Sequence, residues 1–324
     1  MTVDDQEKGS VTGSPEMVSC PKCSRMCPAN RVKCLYCGSD LELSDEQMSR
    51  IDPVLRSADE HEAAFNLVLL PGAAELDGES ASSAAKMLGL DPAEVPSLFS
   101  TGSPMPIART ASEAEGQLIA GRLSSGDAEV RIVPDADLGL REPPVRLRGL
   151  EFGADGVTFL PFNAEEETPS QGRVNLIVTG TLFRKEVLST AKKQRSGSDR
   201  LLESSEEGSD ERLIDLYTAA NFRGYRIRES GFDFSCLGAE KKLLASENLP
   251  LLVEKLRTSF PSAEFVDSYK RLRALLGIAW PVSERTSSHG FERKTFGGYA
   301  RIRSVETDNE EQYTRWSRLM RTLL

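Results

Sequence analysis

The chain has only two histidines in 324 residues, His61 and His289. His61 falls in a polar stretch and His289 in a Ser/Gly-rich one, so neither has the neighbours that would make it a general base or a metal ligand. Missing as well are the phosphate cradle G-x-x-x-x-G-K-S/T, the strand-linked G-x-G-x-x-G, the nucleophile elbow G-x-S-x-G and the paired-histidine H-E-x-x-H. Acidic clusters do occur, at Glu165-Glu166-Glu167 and Glu206-Glu207, but in runs poor in apolar residues that read as solvated loops. Nothing here argues for an enzyme. Because catalytic sites assemble in space rather than in sequence, an enzyme with a site in the β-rich part of the chain remains one alternative.

Long apolar runs are also missing. The longest is Phe65 to Leu70, far short of the roughly 20 residues that cross a bilayer as a helix. The first sixteen residues are acidic and polar, the reverse of a signal peptide's basic-then-apolar order, so the expected location is the cytoplasm, with no membrane span. A formal net charge of −10 argues against a nucleic-acid protein as a whole, since phosphate binding needs clustered Lys and Arg, but it leaves room for a local basic patch. With 39% hydrophobic and 28% charged residues, the composition is that of an ordinary globular chain, and the length suggests two or three domains.

What the chain does have is a cysteine cluster. Five of its six cysteines lie between positions 20 and 37. In a reducing compartment such clustering points to metal rather than disulfides. Cys20-Pro-Lys-Cys23 and Cys34-Leu-Tyr-Cys37 are two Cys-x-x-Cys units separated by ten residues, each fitting a tight knuckle that aims two sulfurs at one point. Gly38 suits the left-handed turn that follows the second knuckle. Together Cys20, Cys23, Cys34 and Cys37 make a tetrahedral set that suits structural Zn2+, closed to any substrate water, and the metal would fold a segment too short to build its own core. A redox pair or an iron–sulfur site is the alternative for the cluster. Cys27 lacks a knuckle (Met26-Cys27-Pro28) and reads as a bystander thiol, with ligand exchange as its other reading. The pattern resembles the small zinc ribbons found at the N-termini of many bacterial proteins, where they serve as interaction modules. Lys22, Arg25, Arg31 and Lys33 give the ribbon a basic cast, but Tyr36 is its one stacking face, so a solvated surface is the favoured reading over nucleic acid.

Beyond the ribbon, Ser44 is a helix N-cap with Glu46 and Gln47 in the first turn, and Pro53 ends that helix. Phe65 to Leu70 predicts a buried strand. Glu79 to Leu88 predicts a helix stopped at Gly89, Asp91-Pro92 opens a short helix, Ser112 to Leu123 is a third, and Glu129 to Val133 is an alternating strand. The succession FNLVLL, KMLGLD, PAEVPSLF and SEAEGQLIAGRLSSGDAEVRIVP resembles the C-terminal domain of the bacterial ribosomal stalk protein, across residues 63–135. That family recruits translation GTPases through lysines on its first two helices. Here Lys86 is the only lysine in the matching stretch, so the resemblance implies the fold but not the GTPase role.

The remainder is β-rich. Val145 to Phe152 and Val157 to Leu160 flank an Asp155-Gly156 turn, and Val174–Val178 and Thr181–Val187 look like a strand pair joined at Thr179-Gly180. Residues 190–211 read as a disordered excursion, in which Lys192, Lys193 and Arg195 are a solvated loop or a phosphate-binding patch. Strands are expected at Leu213–Tyr217, Gly224–Arg228 and Phe232–Cys236, with Cys236 a buried small hydrophobe. Helices are expected at Glu247–Phe260 (capped by Ser246), Ala263–Ile278 and Asn309–Leu324, and a mobile loop at Ser283–Gly298. Trp280 and Trp316 read as core residues, with partner anchoring as their other use. The element order is similar to a pleckstrin-homology-like barrel.

The expected architecture is therefore α+β and multidomain: a disordered tail (1–16), the zinc ribbon (17–42), a linker (43–62) and a small α/β sandwich of two to three strands and three helices (63–137). A second linker (138–144) leads to an antiparallel β-rich domain with a disordered insertion at 190–211 (145–260), then C-terminal helices and a loop (261–324). The expected function is a zinc-binding, non-enzymatic adaptor with an unidentified protein partner. The alternatives are a regulatory protein binding nucleic acid through the basic ribbon, and the enzyme noted above.

Overall fold

The computed structural model describes residues 16–51, 55, 57–58, 62–72, 76–124, 128–154, 156–163, 174–193, 199–294 and 298–324. His61, Arg195 and Glu165-Glu166-Glu167 lie outside them. The chain is α+β with several sheets. It opens with an antiparallel hairpin of β1 (Met17–Ser19) and β2 (Met26–Pro28), in which Val18 faces Cys27. Helix α1 (Asp45–Arg50) follows, closed at its start by a reciprocal capping box of Ser44 and Gln47.

Residues 65–134 form β3 (Phe65–Leu69), α2 (Gly78–Leu88), α3 (Val95–Phe99), β4 (Met105–Thr110), α4 (Glu113–Ser124) and β5 (Val130–Pro134). The sheet order is β4-β3-β5, all antiparallel, with β3 central and buried. Strand β4 was not expected from the sequence, because Pro106 breaks its reading as a strand; an edge position tolerates the missing donor. Asp91 does not cap a helix. Its carboxylate accepts from the Ala93 N–H at 2.8 Å in a turn, and α3 starts four residues later.

A second sheet is built from β6 (Val145–Gly153), β7 (Gly156–Pro161), β8 (Val174–Lys193), β9 (Asp199–Thr218) and β10 (Tyr225–Arg228). After a 3₁₀ turn (Phe234–Glu240) come α5 (Ala245–Ser259), β11 (Glu264–Val266), α6 (Tyr269–Leu276), β12 (Ser283–Lys294), β13 (Gly298–Asp308) and α7 (Glu310–Leu323). The strand order is β12-β13-β8-β9-β10-β6-β7, with β11 beside β8. The sheet is not wholly antiparallel as expected: β10 runs parallel to β6, and β11 parallel to β8.

Several expectations are corrected here. Thr179-Gly180 is not a turn; β8 runs straight through it, because Gly180 makes room for a ring. A Cβ at Gly180 would overlap the Tyr313 side chain of α7. The excursion expected at 190–211 is strand instead, from Thr190 to Lys193 on β8 and from Asp199 to Glu211 on β9, paired residue by residue. Residues 204–210 of β9 are all exposed, so the low apolar content there is that of a strand with water on both faces. The loop expected at Ser283–Gly298 is likewise β12 and the start of β13. Phe232–Cys236 is not a strand. Asp233 caps the 3₁₀ turn there, and Cys236, half-buried in it, has its thiol pushed up by burial. Ser246 lies inside α5 rather than at its cap, and Phe265 belongs to β11 rather than to a helix.

Alternation along β8 and β9 divides two cores. Ile177, Ile214 and Leu216 face α5, β6 and β7, packing with Phe159, Leu252 and Leu256. Leu176, Val178, Leu213 and Tyr217 face the other way, onto Trp316, Leu319 and Tyr269 of α7 and α6. That second core continues into Leu67, Ile107 and Ile119 of the small α/β unit, so the two share one apolar interior. Nor are residues 138–144 a break in the packing: Leu138 is buried, and Arg318 of α7 donates to the carbonyls of Leu138, Gly139 and Glu142.

Within this interface Asp215 and Arg226 form a bidentate pair at 2.8 Å with almost no solvent contact, and Arg226 lies over the Tyr313 ring. On another side of α7, Asp135 accepts from Asn66, Arg109 and Arg315 at 2.9, 2.6 and 2.9 Å. Burial alone would raise the Asp135 carboxyl. Hydrogen bonds from Arg109 and Asn66 and the charges of Arg315 and Arg109 outweigh it and hold the group below the usual carboxylate range. Glu310 behaves alike, with burial outweighed by Arg228 and Arg226.

Two predictions follow from this interface. Gly180→Ala should cost about 1–3 kcal/mol by overpacking against Tyr313. Gly208→Ala, on the exposed part of the same hairpin, where a Cβ would meet only the Arg184 carbonyl oxygen at 3.9 Å, should stay within about 0.5 kcal/mol of wild type in urea unfolding; equal effects would refute the close-approach reading of Gly180. For pH, a carboxyl depressed in the folded state contributes stability that is present above its unfolded pKa, about 4, and lost as pH falls through the folded value. Urea midpoints should therefore drop between pH 6 and pH 3, and Asp135→Asn should be weaker at pH 6 with a shallower acid slope; an unchanged slope would exclude Asp135 as a contributor.

Candidate metal centre

The two knuckles are built alike. In the first, the Ser24 N–H donates to the Cys20 carbonyl at 2.9 Å; in the second, the Gly38 N–H donates to the Cys34 carbonyl at 3.0 Å. Both fourth-following residues adopt left-handed backbone, Gly38 at φ 71° and Ser24 at φ 58°. Glycine reaches that region freely, whereas serine does so against the clash of its Cβ. The Gly38 turn leaves the Tyr36 N–H pointing at the Cys34 sulfur, 3.4 Å away.

The sulfurs of Cys20, Cys23, Cys34 and Cys37 all lie within 4.8 Å of one another, close enough to bind a single metal ion. Cys20 and Cys37 approach to 3.6 Å, as do Cys23 and Cys34. The sequence places these four as one set, and the structure brings them together. Cys20 and Cys34 are buried, while Cys37 is exposed.

Two further groups reach the cluster. The Ser39 hydroxyl lies 3.2 Å from the Cys20 sulfur and 3.0 Å from that of Cys37. Sequence reasoning overlooked it, although a hydroxyl two residues past the last cysteine is within reach of a knuckle that turns back at Gly38. The fully buried Cys27 thiol lies 3.4 Å from the Cys34 sulfur, carried there by the β1–β2 pairing. It is a close neighbour of the set.

Four thiols this close cannot all ionise without a countercharge. The Cys20 thiol falls to about 6, led by the hydrogen bond from Ser39 and helped by the Cys23 and Lys22 backbone N–H groups. Cys23 stands at about 12: a backbone hydrogen bond from Arg25 lowers it, but burial and the thiols of Cys20, Cys37 and Cys34 push it up. A cation held by the four sulfurs would supply the missing countercharge and favour the thiolate form throughout.

The ribbon's outer surface carries Met17, Met26, Leu35 and Tyr36, each roughly half exposed, with Arg25 stacked 4.8 Å above the Tyr36 ring. Lys22 and Arg31 are exposed and Lys33 is half-buried. The ribbon is tied to the body where Ser112 donates to Asp40 at 2.7 Å, and α1 where Arg122 donates to the Ile51 carbonyl at 3.2 Å.

Elsewhere, a cavity of about 350 Å³ lies between the small sheet and α7, lined by Arg109, Trp280, Gln312 and Arg315. Its polar groups are bound to each other or to the fold: Arg109 and Arg315 hold Asp135, Trp280 donates to Asn66 at 2.8 Å, and Gln312 donates to the Trp280 carbonyl at 2.7 Å. An open groove beside α5 is lined by Phe152, Glu254, Lys255 and Thr258; there Lys255 lies over Phe152 and donates to the Cys236 carbonyl at 2.7 Å. Trp280 and Trp316 are both buried in the core.

No protein family, curated protein or solved structure matches the chain.

The likeness of the knuckles yields a prediction. Ser24→Gly should raise the stability of the ribbon by about 1 kcal/mol, since it relieves a left-handed serine. Resistance of the metal-loaded protein to a competing chelator is the measurement, and a faster loss of metal would refute the relief argument.

Proposed function

We propose that this protein is a zinc-binding, non-enzymatic adaptor, in which a structural Zn2+ holds the N-terminal ribbon in shape and the ribbon presents a surface to a protein partner. The observation that carries this reading is the closed set of four thiols. Zn–S bonds of about 2.3 Å in a tetrahedron put sulfurs about 3.8 Å apart, close to the 3.6 Å of the two tightest pairs. Four thiolates fill that geometry and leave no position for a substrate water, which favours a folding role over a catalytic one. The exposed Leu35 and Tyr36, held at the tip of the second knuckle, support a partner contact: large apolar side chains fixed on a rigid turn are the kind that anchor interfaces. In the cavity between the small sheet and α7, Arg109 and Arg315 are spent on Asp135 and Trp280 on Asn66, which favours an adaptor over an enzyme there. Arg25 already covers one face of Tyr36, which weakens the case for base stacking at the ribbon.

Metal analysis by plasma mass spectrometry should find about one zinc per chain, and the Cys34→Ser, Cys37→Ser double variant should have lost it while keeping the circular dichroism of the body. Absence of zinc from an intact wild-type protein would sink the metal assignment. For the partner, affinity purification from the native cell should lose specific proteins when Leu35→Ser and Tyr36→Ser are introduced together with zinc retained; an unchanged set of partners would show that the ribbon is not the contact.

A further inference from the structure

The ribbon holds more thiols than its closed set uses. Cys27 is fully buried, and its S–H donates to the Cys34 sulfur at 3.4 Å. The edges of a tetrahedral zinc–thiolate set are about 3.8 Å long. Cys34 therefore has two sulfurs near ligand spacing, Cys23 at 3.6 Å and Cys27 at 3.4 Å.

The backbone decides which thiols move together. In the β1–β2 hairpin Ser19 lies opposite Met26, Val18 opposite Cys27 and Met17 opposite Pro28. The first knuckle is the loop of that hairpin, closed by the Cys20 N–H, which donates to the Arg25 carbonyl at 2.9 Å. At the open end the Ala29 N–H donates to the Glu16 carbonyl at 2.7 Å. Cys20, Cys23 and Cys27 are thus carried on one hydrogen-bonded unit, which needs only Cys34 to complete a set of four sulfurs.

Cys37 differs from the other three members of the set. It is exposed, whereas Cys20 and Cys34 are buried and Cys23 is half-buried. It lies between the exposed Leu35 and Tyr36 and the turn at Gly38, where a Cβ would meet nothing within 4 Å. Its sulfur meets the Cys20 sulfur at 3.6 Å and the Ser39 hydroxyl at 3.0 Å. The thiolate that solvent and electrophiles reach first is therefore one that the hairpin does not carry.

On the metal reading given above, we propose that Cys27 is a reserve ligand that replaces Cys37 on the ion. Cys27 stands outside the four-sulfur set, and a change of side-chain rotamer is the movement that brings it in. The exchange breaks the metal bond to Cys37 and forms one to Cys27. Cys37 takes up a proton as Cys27 releases one to solvent, so the charge and oxidation state of the site are unchanged. The tip of the second knuckle, with Leu35 and Tyr36, then comes free while the ion stays in the ribbon. The partner surface is released without loss of metal.

The test uses the full chain loaded with cobalt, whose thiolate-to-metal absorbance counts bound sulfurs, and with cadmium, whose nucleus couples to the β-protons of each ligand cysteine. Wild type should couple to Cys20, Cys23, Cys34 and Cys37 but not to Cys27, and Cys27→Ala should match its cobalt absorbance. Cys37→Ala should keep about one ion per chain, retain four-thiolate absorbance and couple to Cys27. Cys27→Ala with Cys37→Ala should fall to three thiolates and yield its metal to a chelator about tenfold faster than Cys37→Ala alone. Cys37→Ser repeats the measurement should Cys37→Ala fail to match wild-type circular dichroism. No coupling to Cys27 in either Cys37 variant, or equal metal loss from the single and double variants, would overturn the reserve role and leave the zinc reading standing. Coupling to Cys27 already in wild type would make it a resident ligand and overturn the exchange. A wild-type chain that takes up no metal would overturn the zinc reading and this role with it.

Discussion

The body of this protein depends on how α7 docks across the large sheet. The helix is polar on much of its surface, yet Gln312, Arg315, Ser317 and Arg318 are buried along with Tyr313 and Trp316. Burying so many donors is costly unless each finds an acceptor. Most do so by reaching in every direction, although the Trp316 indole N–H and the Arg318 Nε find none. Gln312 accepts from the Tyr269 hydroxyl of α6 and donates to the Trp280 carbonyl; Arg315 reaches Asp135 at the end of β5; Ser317 meets the Tyr217 hydroxyl of β9; and Arg318 holds the carbonyls of the 138–142 segment. One helix thus serves as the common partner of both sheets.

That arrangement accounts for the placement of Gly180. For the Tyr313 ring to lie against β8 and donate its hydroxyl to the Val178 carbonyl at 3.1 Å, the strand must have no side chain at the point of contact. With the ring seated there, Arg226 is covered by it on one side and held by Asp215 on the other. Removing either charge would leave the other stranded in a dry interior, which costs more than the pair contributes by itself. The same logic holds at Asp135, where two arginines from different elements converge on one carboxylate. In each cluster the charges hold two elements together.

How much of this was legible in the sequence follows from the range over which each feature is determined. The grouping of Cys20, Cys23, Cys34 and Cys37 was, because a knuckle is set by residues three apart. The α1 capping box and the Gly89 stop of α2 are equally local. Ser24 escaped notice because a left-handed serine has no composition signal; only its equivalence to Gly38 in the folded knuckles reveals it. The β8–β9 hairpin was misread for a different reason. A segment such as Ser204 to Glu211 carries too few apolar residues to bury a face, and composition reads that as disorder. Pairing to β8 supplies its backbone partners without any burial. Gly180 was read as a turn because a glycine's use for close approach depends on Tyr313, 133 positions away in the chain and invisible to any local pattern. Similarly, the joining of the small sheet to the large one through Trp280 and Asn66 spans 214 positions and leaves no trace in periodicity.

The ribbon stands apart from this interlocked body. Its own core is little more than Cys20, Cys27, Cys34 and Leu41, and among the described residues it is attached at Ser112 and Asp40, with Glu16 held by Gln47 and Arg50 of α1. So small an apolar interior cannot hold a fold unaided. On the proposed reading, metal binding supplies what packing does not, so the shape of the second knuckle, and with it the presentation of Leu35 and Tyr36, is coupled to the metal while the body is not. Cys27 bears on that coupling. Fully buried against Cys34, it fills the space behind the ligands with a soft, apolar side chain, and a polar residue there would have to find a partner in a ring of sulfurs. An adaptor built this way keeps its partner surface and its scaffold on separate energetic footings: loss of the ion would erase the surface and leave the α7-centred body in place.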